Sequence, residues 1–347
     1  MTVATSPQSN AASALEQQST RTRVAIAGAT GYAGQELVRI LARHPAVTLT
    51  AAMSSGATSA PRPLPALHRI WEGALTPLDI DQLAASADIV FLALPEAASA
   101  ELAPKLLDRG MRVIDLSGAF RIRADEDRQR WYPATAALPD GTVYGMTEGH
   151  QPSIKDARLV SNPGCYPTAA LLALDPLAKA GLLEGGVVVD AKSGLSGAGK
   201  AATDRTHFSE NHGSVAAYGI FSHRHVAEIE QELGMPVTFV PHLVPLDRGI
   251  LETIYATLKP GVTAAQVAET LQRAHADAPF VRLTGAELPE IKHVAHTNFC
   301  DIGWKVDEAR RRVVLVAVID NLVKGAAGSA VQNLNVLLGL DERTGLL

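Results

Sequence analysis

Cysteine is almost absent from this chain: of 347 residues only Cys165 and Cys300 carry a thiol, far apart and with no CxxC or Cys/His ligand spacing around them. A disulfide framework and a structural zinc site are thereby excluded, no metal is expected, and a reducing, cytoplasmic setting fits. Basic excess is missing too. Lys and Arg number 31 against 36 Asp and Glu, a formal charge of −5, so no general attraction to nucleic acid or anionic lipid is expected. No stretch of about 18 apolar residues runs without charges, so no membrane span is expected. The first twenty residues hold neither a basic residue nor an apolar core for a signal peptide, and residues 1–20 read as a disordered tail. Aromatics are sparse at 5%, but apolar residues make up 47%, with 28 Gly and 20 Pro: an ordinary globular composition long enough for two cores.

The apolar run Arg23 to Ala27 meets Gly28-Ala-Thr-Gly31-Tyr-Ala-Gly34 and then a helical pattern from Gln35 to Arg43. Strands at 47–53, 88–94 and 111–115, with a helix over 97–109, continue the alternation, which predicts a doubly wound parallel sheet of Rossmann type. Residues 119–157 have weak periodicity and read as a long irregular connection. A short strand from Leu159, a turn at Asn162-Pro-Gly-Cys165, a helix over 169–180 and a strand over 187–192 follow. Apolar strands near 236–244, 249–258, 298–304 and 312–319 are spaced closely enough to suggest a mixed or antiparallel sheet. The fold class is therefore α/β, with a second α+β domain. The last amphipathic segment, 326–338, is expected to return to the first domain. The division that results is 21–160 plus 326–347 for a dinucleotide-binding domain, and 161–325 for a catalytic, substrate-binding and dimerisation domain.

Gly28, Gly31 and Gly34 follow the first strand, where a tight turn can bring a pyrophosphate onto a helix N-terminus; Thr30, Tyr32 and Ala33 belong to the same turn. The second strand ends in Ser54-Ser55-Gly56 with no acid to accept from a ribose 2′-OH, which favours NADP(H), with Ser54 and Ser55 as donors. Cys165 follows Asn-Pro-Gly at a helix start, where the dipole and free N–H groups stabilise thiolate, so a depressed pKa is expected there. Cys300 reads as a small buried hydrophobe. A thiolate nucleophile needs an acid/base partner, and His207, His212, His223, His225 and His242 are available; Ser222-His-Arg-His225, at a helix start, carries most weight. The loop Ser193-Gly-Leu-Ser-Gly-Ala-Gly-Lys200 can offer N–H groups, hydroxyls and one cation to an anion, though Ala201 rules out a P-loop. Asp320-Asn-Leu-Val-Lys-Gly-Ala-Ala-Gly328 would let a flat ring or another chain approach closely.

Seven blocks in order, namely Gly28 to Gly34, Asp115-Leu-Ser-Gly-Ala-Phe-Arg121, Ser161-Asn-Pro-Gly-Cys-Tyr-Pro-Thr168, Ser193 to Gly199, Ser222 to His225, Pro241-His-Leu-Val-Pro245 with Arg248-Gly-Ile250, and Asp320 to Gly328, resemble the N-acetyl-γ-glutamyl-phosphate reductases. These lie within the wider family that includes aspartate-semialdehyde dehydrogenase. The resemblance runs from about Arg23 to the C-terminus. It implies NADPH-dependent reduction of N-acetyl-γ-glutamyl phosphate to the semialdehyde in arginine biosynthesis, through a thioester on Cys165, with His225 or alternatively His223 as acid/base. It implies Arg121, Ser193, Lys200 and His242 for the substrate's anionic groups. Ser196, Gly197, Asn321 and Gly325 go to the cofactor, and a homodimer or homotetramer to the assembly. The same chemistry on N-acetyl-aminoadipyl phosphate, a non-catalytic dinucleotide sensor and a cysteine-dependent acyltransferase are the alternatives; the dinucleotide turn argues against the last.

Overall fold

A computed structural model describes residues 21–54 and 61–347. The tail expected over 1–20 and the candidate Ser55 lie outside the described residues.

Strand β1 (Thr22–Ala27) leads into α1 (Tyr32–Leu41), β2 (Val47–Ser54), β3 (Leu75–Pro77), α2 (Ile80–Ser86), β4 (Ile89–Leu92), α3 (Glu96–Asp108) and β5 (Arg112–Asp115). The segment expected to be irregular instead holds α4 (Asp125–Trp131), β6 (Thr142–Tyr144) and α5 (Thr147–Ile154) before β7 (Leu159–Ser161). Periodicity misses them for a physical reason: α4 is polar nearly all round, and three residues of β6 are too few to show an alternation. All seven strands pair in parallel in the order β3-β2-β1-β4-β5-β7-β6, reversing direction of growth between β1 and β4. Both faces are covered, which is why β1 and β4 read as continuous apolar runs. Val24 and Ile26 pack with Leu37 and Val38 of α1, and Ala25 and Ala27 with Leu102 and Leu106 of α3.

The chain then forms α6 (Cys165–Lys179), β8 (Leu183–Ser193), α7 (Phe208–Asn211), β9 (Ala216–Ala217), α8 (His225–Leu233), β10 (Val237–Leu243), β11 (Ile250–Leu258), α9 (Ala264–Ala274), β12 (Val281–Gly285), β13 (Cys300–Asp307), β14 (Arg312–Ile319) and α10 (Gly328–Leu337). The second sheet is mixed, in the order β12-β13-β14-β11-β8-β10-β9. Its inward residues, among them Val187, Val189, Phe239, Ile254 and Cys300, form one core with α6, α8 and α9. Val188, Asp190, Lys192 and His242 alternate onto the opposite face, which is only half buried. Helix α10 buries Val331 and Leu334 among the residues of β1, β5 and α1, so the end of the chain packs on the first sheet.

Helix α6 starts at Cys165, four residues earlier than its apolar pattern suggests. Pro167 sits in its first turn, where the missing N–H has no intrahelical acceptor to lose. Cys300 is fully buried in the second core and burial pushes its thiol far up. Cys300→Ala is expected to lower unfolding free energy by about 1 kcal/mol through the small void left behind, with turnover intact. Denaturant melts and a turnover assay check this, and a large loss of turnover at unchanged fold contradicts it. Among the described residues no helix is long and apolar enough to cross a membrane.

Candidate active site

The first turn of the parallel sheet is shaped by two glycines that no other residue can replace. Gly28 has φ +95°, and a Cβ there would stand 2.2 Å from the Ala93 carbonyl oxygen across the β1/β4 boundary. A Cβ at Gly34 would stand 2.2 Å from the Gly28 oxygen, so α1 packs directly on the turn. Gly31 differs: nothing lies closer than 3.6 Å to its would-be Cβ, and it caps α1 with no side chain on the free N–H groups. That open helix N-terminus at a switch point of a parallel sheet fits a dinucleotide's diphosphate. Thr30 Oγ1 lies 3.2 Å from Ser54 Oγ, joining the turn to the end of β2.

A cavity of about 740 Å3 opens beside this turn, between the two sheets. It is lined by Gly31, Tyr32, Ala33 and Gly34 on one side and by Cys165, Arg121, Ser193, Ser196, Gly197, His223 and His225 on the other, with Asn321 and Gly325 between them. Residues spread over three hundred positions therefore meet at one site. Gly28, Thr30 and Ser54 do not line it.

Cys165 is the first residue of α6, held by a turn that is tied down on every side. Asn162 donates from Nδ2 to Ser329 Oγ at 3.0 Å and accepts at Oδ1 from Asn333 Nδ2 at 3.0 Å, so α10 buttresses the turn. Gly325 permits the close approach of the 323–327 π-turn, since a Cβ there would lie 2.7 Å from Cys165 Cβ. The resulting burial has a consequence opposite to the sequence expectation. Desolvation pushes the Cys165 thiol up to about 11, although the Arg121 guanidinium and the Tyr166 N–H both favour thiolate. In the free protein the group rests as a thiol.

Helix α8 supplies the basic partner. His225, its first residue, packs against Gly164 so closely that a Gly164 Cβ would be 2.6 Å from Nε2, which sets the imidazole against the residue that precedes Cys165. Burial, then His223, Arg121 and Arg224, hold His225 well below the ordinary histidine range, so it is neutral at pH 7 and can take a proton. His223 is engaged otherwise: its Nδ1 accepts the His225 backbone N–H at 3.2 Å and its ring packs edge-on against Tyr166, Tyr218 and Phe239. Burial and Arg224 push it down to about 4. Arg121 is oriented by two carbonyls, donating from Nε to Asn162 and from Nη2 to Leu116, each at 2.8 Å, which leaves Nη1 near His225 Nε2 at 3.5 Å.

Two expected substrate residues are not brought to the cavity. His242 alternates onto the far face of the second sheet, because Pro241 and Leu243 take the inward positions of β10, and its Nδ1 lies 3.2 Å from Asp190. Lys200 is carried past the cavity when the loop turns at Gly199 (φ +83°), and its Nζ stands 5.3 Å from the Tyr32 ring centroid, beside the dinucleotide turn. Asn321 accepts the Gly249 N–H at Oδ1 and donates from Nδ2 to Ser196 Oγ, so it shapes the loop. Sequence reasoning also missed groups the fold does bring in. Arg205 and the pair Tyr166 and Tyr218, whose hydroxyls lie 3.1 Å apart, line the cavity, and Glu228 is buried behind it. Two of these had a signal: Tyr166 directly follows Cys165, and Glu228 stands three residues after His225 on one helix.

Comparison with known proteins agrees with this geometry. Residues 23–157 match the family model described as semialdehyde dehydrogenase, NAD binding domain, and residues 165–321 the one described as semialdehyde dehydrogenase, dimerisation domain. The chain is 45% identical over 337 residues, 93% of its length, to 97% of an N-acetyl-gamma-glutamyl-phosphate reductase of Brevibacillus brevis. It is 44% identical to a Geobacillus protein of the same name, covering 93% of this chain and 98% of that one. Among solved structures, aspartate semialdehyde dehydrogenase II of Vibrio cholerae superposes with a TM-score of 0.71 at 20% identity over 92% of this chain and 99% of its own, which extends the likeness of fold well beyond that of sequence. A nicotinamide dinucleotide turn, a cysteine at a helix start and relatives of nearly full length thus converge, and the chain belongs to the N-acetyl-γ-glutamyl-phosphate reductases.

Proposed function

We propose that the cavity reduces N-acetyl-γ-glutamyl phosphate to N-acetylglutamate 5-semialdehyde, releasing phosphate, as a step of arginine biosynthesis. The observation that carries the reading is the packing of His225 against Gly164, the residue before Cys165, in the cavity that also contains the dinucleotide turn. NADPH is the cofactor of this reading. Residues 51–60 contain no carboxylate to accept from a 2′-hydroxyl, and hydroxyls of Thr30 and Ser54 meet at the end of β2.

The Cys165 sulfur attacks the acyl carbonyl while its proton passes to His225 Nε2, and the C–O bond to phosphate breaks, leaving a thioester on Cys165. Arg121, which lines the cavity, carries the charge of the departing phosphate. A bound nicotinamide dinucleotide supplies the hydride that reduces the acyl carbon. His225 then returns its proton to the substrate oxygen, and collapse of the thiohemiacetal moves a proton from that oxygen back to sulfur, which frees the aldehyde. Arg205 and the Tyr166 and Tyr218 hydroxyls suit the substrate's carboxylate and acetamido ends. The half-exposed face of the second sheet is the surface for pairing into a homodimer or homotetramer, and the two free cysteines suit a cytoplasmic setting.

The position of Lys200 over Tyr32 moves it from substrate to cofactor in this reading. Lys200→Ala is expected to raise KM for NADPH about fivefold, the worth of one exposed charge contact, with kcat and the acyl phosphate KM unchanged. Steady-state kinetics check this; a rise confined to the acyl phosphate KM contradicts it.

The reading is tested in the oxidative direction, with N-acetylglutamate 5-semialdehyde, phosphate and either NADP+ or NAD+. Absorbance growth that needs phosphate and prefers NADP+ supports it. Equal rates with the semialdehyde one methylene longer overturn the substrate assignment, and failure with every semialdehyde overturns the reaction.

A further inference from the structure

Behind the cavity, Glu228 is completely buried, and its hydrogen bonds are directed at the nucleophile's turn. Its Oε1 accepts the Gly164 backbone N–H at 2.8 Å and the Tyr144 hydroxyl at 2.6 Å, and its Oε2 lies 3.5 Å from Arg121 Nη1. Burial pushes the Glu228 carboxyl up, and these three donors pull it back. We infer that Glu228 is a positioning residue for the reaction proposed above: a strut of fixed length that sets the Cys165 sulfur against His225.

Gly164 is the residue immediately before the nucleophile, and both of its free sides are taken. Its Cα face has room only for hydrogen, because a Cβ would be 2.6 Å from His225 Nε2 and 2.9 Å from Arg121 Nη1, while its N–H is held by Glu228. Its carbonyl accepts the Thr168 N–H at 2.9 Å and the Thr168 hydroxyl at 2.8 Å, which fixes the direction of α6. His225 and Glu228 stand one helical turn apart on α8, so a single rigid element delivers the base and the strut together. The distance between α8 and the start of α6 is therefore set by the length of one side chain, and Tyr144, from the edge strand β6 of the first sheet, fixes that side chain's oxygen. A strut acts through its length, so Gln, of equal length and able to accept the same N–H at Oε1, replaces it better than Asp, which keeps the charge but is shorter by one methylene, even though the Gln NH2 cannot accept from Arg121.

The test compares Glu228→Gln, Glu228→Asp and Glu228→Ala in the semialdehyde, phosphate and NADP+ assay, with circular dichroism and a thermal melt to show that each is folded at the assay temperature. Gln is expected to keep kcat within about tenfold, while Asp and Ala lose about 10²-fold or more, the effect of roughly an ångström of misplacement, with KM for semialdehyde within about threefold. Iodoacetamide labelling of Cys165 is expected to stay within about twofold in Gln, since a small reagent needs exposure more than alignment. An order in which Asp retains activity and Gln loses it overturns the proposal in favour of charge, as does a kcat for folded Ala within threefold of wild type. Should Ala fail to fold, the order of Gln against Asp decides alone. Wild-type inactivity contradicts the proposed reaction instead, so the two failures are distinguishable.

Discussion

Replacing Cys165 by serine is expected to lower kcat by at least about 10⁴-fold, the scale set by removing a covalent nucleophile, while leaving NADPH affinity unchanged. The hydroxyl keeps the shape of the site, but it is a far weaker nucleophile and a poorer leaving group in the collapse that frees the aldehyde. In the proposed reading the dinucleotide is held at the 28–34 turn, at Gly31 and the open α1 N-terminus, and not by the sulfur. Stopped-flow turnover and fluorescence titration separate the two effects. Residual activity within a hundredfold of wild type contradicts a thioester on this residue. Since burial holds the thiol up near 11, alkylation of the free protein by iodoacetamide is expected to be slow at pH 7 and to climb through the alkaline range. A plateau below pH 7 contradicts a resting thiol.

His225→Asn is the second large effect, with kcat expected to fall about 10²- to 10⁴-fold, the usual yield of a positioned acid/base. Asn fills much of the volume against Gly164 but cannot carry a proton between sulfur and substrate oxygen. His223→Asn is expected to cost less than about tenfold on the same scale, because His223 acts on the backbone N–H of His225 and on the packing of Tyr166 and Tyr218. The sign of the pH dependence follows from the depressed imidazole. Protonation below the ordinary histidine range removes the base, so the acid limb of kcat/KM falls at lower pH than an unperturbed histidine would give, and this limb is lost in the Asn variant. A larger loss in His223→Asn than in His225→Asn, in folded proteins, exchanges the two roles.

These roles were legible in the sequence to the extent that they depend on local geometry. A glycine turn after a strand and a cysteine after Pro-Gly declare themselves because neighbouring residues dictate the backbone there. Burial is another matter. The surroundings that desolvate the thiol come from distant chain, Gly325 among them 160 positions away, so the helix start at Cys165 could be read while the direction of its pKa could not. His242 has the right chemistry in a plausible motif, but strand alternation turns it to the opposite face, and Lys200 is displaced by a single glycine bend. Glu228, Tyr144 and Arg205 lie outside the conspicuous blocks; only the packing of α8 and β6 against the cysteine turn brings the first two together. The three-residue edge strand β3 was missed, but the parallel sheet was otherwise visible as far as β5, where burial on both faces leaves long apolar runs. It was lost in 119–157, where short, polar elements finish its edge.

The most direct measurement is the mass of the protein itself after mixing with N-acetylglutamate 5-semialdehyde and NADP+ in the absence of phosphate. One equivalent of NADPH is expected per site, together with one N-acetylglutamyl group on the peptide containing Cys165, which phosphate then discharges without further NADPH. Phosphate-dependent turnover with no adduct on that peptide, or with the adduct on Cys300, would contradict covalent reduction at Cys165.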